Sequence, residues 1–378
     1  MRKTVRAESI PSPQGRQWVE NAGEDATVVR GRVKSRVPYH HPQGAPVRVF
    51  IVGGTGLLGY HAALEFLRRG HEVETAAIPD IPLGAWFPKQ IRVHEIDIFA
   101  STERRRTRLF KGFDAMVYAV GPDDRQTPPA PAYDFFHERL VEGCGRVVAA
   151  AREAGVRRCA VLGSYLAYFD RLWPEQRLAA HHPYIRCRAE QAERVFAEGG
   201  RSMRVSVLEL PYIFGVMPER EPLWKQVLLD RLLKMPVVLY PAGGSAMISA
   251  KHVGEAVVGA IVHGKHGRRY PIGDENLSWD EMLGLMLRTL GIDKTVYHLP
   301  SFAGGLLGRG LRVVESLRGL EHGLDHEHLI RNLMSAKLYV DPAPSAKALR
   351  HGRGGVREAI VETTRACYPE RFGDRLRD

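Results

Sequence analysis

The chain has 378 residues, enough for one large domain with a smaller lobe, and its 44% hydrophobic content supplies a sizeable core. Lys and Arg number 54 against 43 Asp and Glu, a formal charge of +11, but the basic residues are interleaved with acids and lack the aromatic interleaving of a nucleic-acid face, so a solvated surface is expected and no nucleic-acid partner. No apolar run approaches the roughly 20 residues that span a bilayer, no apolar leader opens the chain, and Cys144, Cys159, Cys187 and Cys367 form no C-x-x-C pair, which together point to a cytoplasmic protein with reduced thiols and no membrane partner.

Residues 1–45 hold eight basic and four acidic side chains with no helical or strand period, and a disordered or loosely packed extension is expected there. Val47 to Val52 is then a nearly continuous apolar run, the pattern of a parallel strand buried on both faces. The loop Gly53-Gly54-Thr55-Gly56-Leu57-Leu58-Gly59 follows. A helix is predicted from Tyr60 to Arg69, ended by Gly70, and a second strand from Val73 to Ile78. Further strands are predicted over 91–98, 115–120, 159–162 and 205–210. Helices are predicted over 102–110, 135–154 and 184–197. This alternation predicts an α/β fold with a doubly wound parallel sheet. Beyond about residue 215 the rhythm loosens. Helices are predicted over 223–233 and 252–263, short strands over 237–240 and 270–272, and mainly helix thereafter. The expected division is a dinucleotide-binding domain over 46–215, with returning segments at about 237–275. Residues 216–236 and 276–378 would form a smaller, mostly helical substrate lobe.

The spacing of Gly53, Gly56 and Gly59 between a strand and a helix has a chemical reason. Gly53 permits a tight turn, Gly56 lets the backbone approach a pyrophosphate, and Gly59 lets the helix pack close to the strand. The helix N-terminus then offers free N–H groups to the anion. A structural glycine-rich turn is the plainer alternative.

With this loop, the segments Glu95-Ile96-Asp97-Ile98, Val117-Tyr118-Ala119-Val120-Gly121 and Val161-Leu162-Gly163-Ser164, and the helix bearing Tyr184, the chain resembles the extended short-chain dehydrogenase/reductase superfamily, in its NAD-dependent epimerase/dehydratase-like branch. The resemblance covers about residues 46–365. It implies a Rossmann fold and an NAD or NADP cofactor held by Gly53, Thr55, Gly56, Leu57, Leu58 and Gly59. It implies further that Asp97 and Ile98 contact the adenine, that Ala119, Val120 and Gly121 line the cofactor's path, and that Pro211, Tyr212, Ile213 and Phe214 flank the nicotinamide. The end of the second strand, Thr75-Ala76-Ala77-Ile78-Pro79-Asp80, does not decide between NAD and NADP.

The same resemblance implies a catalytic group of Ser164, which polarises the substrate oxygen, and Tyr184, which transfers the proton. Arg188 stands where the family has Lys, four residues on and so on the same helix face. A guanidinium keeps the charge, can grip ribose hydroxyls and cannot deprotonate. Beside it the Tyr184 phenol is expected to titrate lower than usual. Two further departures, Glu209-Leu210 before Pro211 where relatives often carry an Arg, and His252 where many relatives have Asp, weaken a sugar-nucleotide assignment.

The expected function is an NAD(P)-dependent oxidoreductase or epimerase/dehydratase-like enzyme that acts on an alcohol/carbonyl pair of a small-molecule substrate, with a homodimer as the oligomeric option. The alternative is a non-catalytic nucleotide sensor or scaffold on the same fold. No metal site is expected. His322, His326 and His328 read as a solvated face, as does the run Arg104-Arg105-Arg106-Thr107-Arg108, and no role is assigned to His181 and His182.

Overall fold

Phe50 and Ile51 have no solvent exposure although they point to opposite faces of their strand. The strand is therefore covered on both sides, as its unbroken apolar sequence predicts. The computed structural model describes residues 46–373, and the extension expected over 1–45 lies outside the described residues.

The first six strands are β1 (Arg48–Val52), β2 (Glu72–Ala77), β3 (Arg92–Glu95), β4 (Ala115–Tyr118), β5 (Arg158–Ser164) and β6 (Arg204–Leu210). They are followed by β7 (Tyr212–Phe214), β8 (Val238–Pro241), β9 (Gly244–Ser249), β10 (Arg268–Pro271), β11 (Glu275–Ser278), β12 (Val296–Leu299) and β13 (Lys337–Leu338). The main sheet has seven strands in the order β10-β6-β5-β4-β1-β2-β3, every pair parallel. The chain winds outward from β1 through β2 to β3, then returns to β4 on the other side of β1. That reversal opens a crevice beyond the carboxyl ends of β1 and β4, where doubly wound sheets bind ligands.

On one face Val49 and Ile51 pack with the helices Leu57–Arg68 and Ala250–His263. On the other, Phe50 and Val52 pack with Phe110, Val147 and Val148. The long helix expected over 135–154 begins earlier, at Ala132, and its middle stretch His137–Gly143 is π-wound. The helix expected over 184–197 runs Pro183–Gly199, with the proline in its first turn, where a missing N–H is tolerated.

The second half departs from the sequence reading. The segment expected to be mainly helical after residue 272 contributes β11, β12 and β13, and β9 was not foreseen. A second sheet runs β11-β9-β13, with β7 also pairing with β9. Among the described residues after β6, β10 alone returns to the main sheet; β8 pairs instead with β12. Every residue of β9 is buried. A strand covered on both faces has no alternation to read, and Gly244, Ser245 and Ala246 carry little strand propensity.

His182 is fully buried, and among the described residues neither ring nitrogen has a hydrogen-bond partner. Burial pushes its pKa from 6.5 down to about 3. The folded protein therefore holds a neutral imidazole, while the unfolded chain takes up a proton below pH 6.5. This contribution is intact above pH 6.5 and is lost as the pH falls toward 3, at up to about 1.4 kcal/mol per unit. His182→Leu should therefore flatten the fall of unfolding free energy between pH 6.5 and about 4. Urea titrations across that range test it, and an unchanged slope would show that His182 takes no part.

Candidate dinucleotide and catalytic site

The loop 53–59 leaves β1 at the crevice, and its glycines serve different purposes. Gly53 has φ +92, and a Cβ there would lie 2.7 Å from the Ala119 carbonyl oxygen. A Cβ on Gly59 would lie 2.2 Å from the Gly53 carbonyl oxygen. These two are required by the protein's own packing. Gly56 is different: a Cβ there would meet only the Gly53 carbonyl oxygen, at 3.6 Å, and its φ of −92 suits any residue. Nothing in the fold needs a glycine at 56, whereas a ligand approaching the exposed backbone would. The Leu57–Arg68 helix starts here with no side-chain cap and no acid in its first turn. Its free N–H groups and positive dipole end are thus left for an anion.

Ala119 and Val120, at the end of β4, lie against this loop. The Ala119 N–H donates to the Val52 carbonyl oxygen at 2.9 Å, and a Cβ on Gly53 would strike Val120 Cγ1. Both are half-buried and Gly121 is exposed. Asp97 is exposed, and its Oδ1 accepts from the backbone N–H groups of Phe99 at 2.9 Å and Ala100 at 3.1 Å. One oxygen thus holds a turn and the other is free of that duty, while Ile98 is buried.

Ser164 is the last residue of β5 and is buried; its Oγ accepts from the Leu166 N–H at 3.3 Å. Tyr184 sits in the first turn of the Pro183–Gly199 helix and is 5% exposed. Arg188 Nε donates to the Tyr184 hydroxyl at 2.9 Å, so the i, i+4 pair meets as the spacing predicts. Its Nη1 donates to the Leu162 carbonyl oxygen at 3.2 Å and to Gln191 Oε1 at 2.8 Å, and its Nη2 reaches the Pro122 carbonyl oxygen at 3.5 Å. Most of the guanidinium is therefore engaged by the protein. Only Nη2 keeps donor capacity, which narrows the expected ribose grip to that atom.

The expected lowering of the tyrosine pKa is corrected by the structure. Burial raises it, the Arg188 charge and hydrogen bond pull it down, and Asp124 adds to the rise, leaving the phenol above its ordinary value. Burial wins because it disfavours the phenolate more than one largely satisfied guanidinium supports it.

A sequence profile for the NAD dependent epimerase/dehydratase family matches residues 49–273. The chain belongs to that family. A search of curated proteins by sequence finds no match. Among solved structures, a nucleoside-diphosphate-sugar epimerase from Pseudomonas aeruginosa is 16% identical, with a TM-score of 0.63 over 86% of this chain and 98% of that one. The Bordetella bronchiseptica enzyme WbmH, in complex with NAD+, is 15% identical with a TM-score of 0.62, over 86% and 99%. A UDP-glucose 4-epimerase from Bifidobacterium longum, in complex with NAD+ and UDP, is 13% identical with a TM-score of 0.62, over 85% and 98%. These likenesses are likenesses of fold.

The family is NAD dependent, so this is an NAD-dependent enzyme of the short-chain dehydrogenase type, and NAD is the first of the two cofactors that the sequence left open. The open cradle at Gly56 and the uncapped helix N-terminus fit the pyrophosphate of such a cofactor. Of the residues expected beside the nicotinamide, Pro211 is buried and Tyr212 and Ile213 are half-buried. Phe214 is fully buried and stacks on Trp224 at 4.6 Å. Phe214 thus packs in a cluster with Met247, Leu277 and Trp279.

The two departures from the family pattern have structural partners. Glu209 accepts two bonds from Arg171 Nη2, both at 2.8 Å, and His252 Nδ1 lies 2.9 Å from Asp274 Oδ2. Sequence reasoning missed Asp124 and Gln191. Gln191 is 1% exposed and holds Arg188 from one turn further along the helix. Asp124 lies in the loop after β4, and its charge opposes ionisation of Tyr165, Tyr184 and Tyr212. An acid just after the Gly121-Pro122 turn, at the carboxyl end of a central strand, was the signal for it. Among the described residues no group of three or more His, Cys, Asp or Glu is arranged to hold a metal ion. His326 and His328 instead lie beside Glu315 and Asp325.

Proposed function

We propose that this enzyme interconverts an alcohol and a carbonyl group of a small-molecule substrate, as an oxidoreductase or as an epimerase or dehydratase, with Tyr184 as the proton-transfer group. The observation that carries this reading is the 2.9 Å bond from Arg188 Nε to the Tyr184 hydroxyl, at the same carboxyl edge as Ser164. The bound dinucleotide supplies the hydride acceptor or donor. The chain supplies the rest: Tyr184 takes the hydroxyl proton from the substrate or returns it to the carbonyl oxygen. Ser164 Oγ donates a hydrogen bond to that oxygen. Arg188 orients the phenol and stabilises its charged form. Gly53, Thr55, Gly56, Leu57, Leu58 and Gly59 would hold the pyrophosphate, Asp97 and Ile98 the adenine, and Ala119 to Gly121 the path between them. The lobe of residues 216–236 and 276–378 would close over the substrate.

Solved relatives of this fold are described as sugar-nucleotide epimerases, which makes nucleotide sugars the first substrates to assay. Turnover in the presence of NAD, followed as reduced dinucleotide at 340 nm or as epimer formed, supports the reading if Tyr184→Phe abolishes it.

A further inference from the structure

The helix Ser301–Leu317 is built with its small residues inward and its large ones outward. Gly304, Gly305 and Gly308 are its buried positions. A Cβ on Gly308 would come within 2.4 Å of the His326 carbonyl oxygen, and one on Gly304 within 2.3 Å of Ile330. The helix backbone therefore lies directly on the segment beneath it. Facing solvent are Phe302 (71% exposed), Leu306 (64%), Leu307 (57%), Val313 (52%), Val314 (46%) and Leu317 (83%). At 3.6 residues per turn Phe302, Leu306, Val313 and Leu317 form one stripe, which Leu307 and Val314 widen to about half the circumference. A helix whose only duty is to the core shows the reverse pattern, and an apolar patch of this extent marks an interaction surface.

The exposed charged side chains of this helix and its end are all basic. The side chains of Arg309 and Arg312 are 59% and 51% exposed, while their partners Glu327 and Asp325 lie beneath at 10% and 12%. Arg318, at the helix end, is exposed as well. The whole chain carries +11.

We propose that this helix is an in-plane anchor that docks the protein on an anionic bilayer surface. Seventeen residues of helix extend about 26 Å, and no helix among the described residues is long and apolar enough to cross a membrane. An amphipathic helix of this make-up lies in the interface, its apolar side chains among the acyl chains and its arginines at the lipid phosphates. A second copy on this face would bring the same arginine border against itself, whereas lipid phosphates neutralise it. The expectation of no membrane partner rested on the lack of a spanning run and a leader, neither of which bears on an in-plane helix.

The anchor continues into the site. The Gly319 carbonyl oxygen accepts from the Ala130 N–H, the Glu321 N–H donates to the Pro128 carbonyl oxygen, and the Gly323 N–H donates to the Gln126 carbonyl oxygen. The Gly323 carbonyl oxygen in turn accepts from the Tyr184 N–H at 3.0 Å. Docking would thus bring residues 319–323, which hydrogen-bond the Tyr184 backbone, to the membrane surface.

Co-sedimentation of the full-length chain with vesicles tests this, using phosphatidylcholine alone and an equal mixture with phosphatidylglycerol. The wild type should pellet with the mixed vesicles, more weakly with the neutral ones, and less as salt is added. Leu306→Glu/Leu317→Glu replaces two side chains that touch little of the protein, so its melting temperature should match the wild type. It should lose about tenfold or more of the partitioning. Arg318→Glu should weaken binding to the mixed vesicles and leave the neutral ones nearly unchanged. Three results would overturn the proposal: a wild type that stays in the supernatant, a folded double variant that binds as the wild type does, or a wild-type dimer that the double variant dissolves while neither binds vesicles.

Discussion

Tyr184→Phe is expected to lower turnover by about 10²–10⁴-fold, the usual worth of general acid–base catalysis, and to leave dinucleotide affinity nearly unchanged. The ring stays in place, stacked edge-on against Phe136 with centroids 5.5 Å apart, so the loss falls on the proton and not on the fold. Arg188 divides its work between the phenol and the protein. Arg188→Lys keeps a cation one helical turn from Tyr184 but gives up the simultaneous bonds to Leu162 and Gln191. It should retain substantial turnover with reduced stability. Arg188→Met removes the charge that offsets burial of the phenol and should lose most turnover. Dinucleotide affinity should fall only modestly, because Nη2 alone is left to reach a ribose hydroxyl. Steady-state kinetics together with calorimetric titration of NAD separate these effects.

Gly56→Val should abolish dinucleotide binding while the protein folds normally. The added Cβ meets only the Gly53 carbonyl oxygen at 3.6 Å, an ordinary contact, but it fills the space where a pyrophosphate would approach the helix N-terminus. Gly59→Ala is the contrasting case. Its Cβ would lie 2.2 Å from the Gly53 carbonyl oxygen and 2.7 Å from Gly54 Cα, both backbone atoms that cannot step aside, so the loop must distort and stability should fall by about 1–3 kcal/mol. Thermal melts with and without NAD distinguish the two: Gly56→Val should melt like the wild type and gain nothing from NAD, whereas Gly59→Ala should melt early. A Gly56→Val protein with wild-type affinity would remove this loop from the site.

The half of the fold around β1 was legible because its signals are local and strong. An apolar run, three spaced glycines and a helix period leave few alternatives, and the continued alternation then dictates a parallel sheet. The second sheet was not legible. Its central strand β9 is buried on both faces and β13 has only two residues, so neither offers an alternating pattern. At the site, the spacing of Tyr184 and Arg188 foretold their contact. What spacing cannot convey is how many other acceptors a guanidinium finds, or how deeply a phenol is buried. Burial, with the Asp124 charge beside it, reverses the expected direction of the tyrosine's pKa, while Leu162 and Gln191, from separate elements, take up the guanidinium. The helix Ser301–Leu317 shows the same limit: helix was expected in this stretch, but which side faces solvent depends on the carbonyl oxygen of His326, brought against Gly308 by the fold.

The most direct test of the Tyr184–Arg188 pair is the pH profile of kcat for alcohol oxidation, with NAD saturating, in the wild type, Arg188→Met and Tyr184→Phe. Oxidation needs the phenolate, and burial holds the Tyr184 pKa above its ordinary value, so wild-type kcat should climb as the pH rises above neutrality. Removing the Arg188 charge raises that pKa further, so the rising limb should move to higher pH in Arg188→Met and vanish in Tyr184→Phe. An Arg188→Met enzyme with the wild-type profile and full turnover, or a Tyr184→Phe enzyme that keeps the rising limb, would contradict the assignment of proton transfer to this pair.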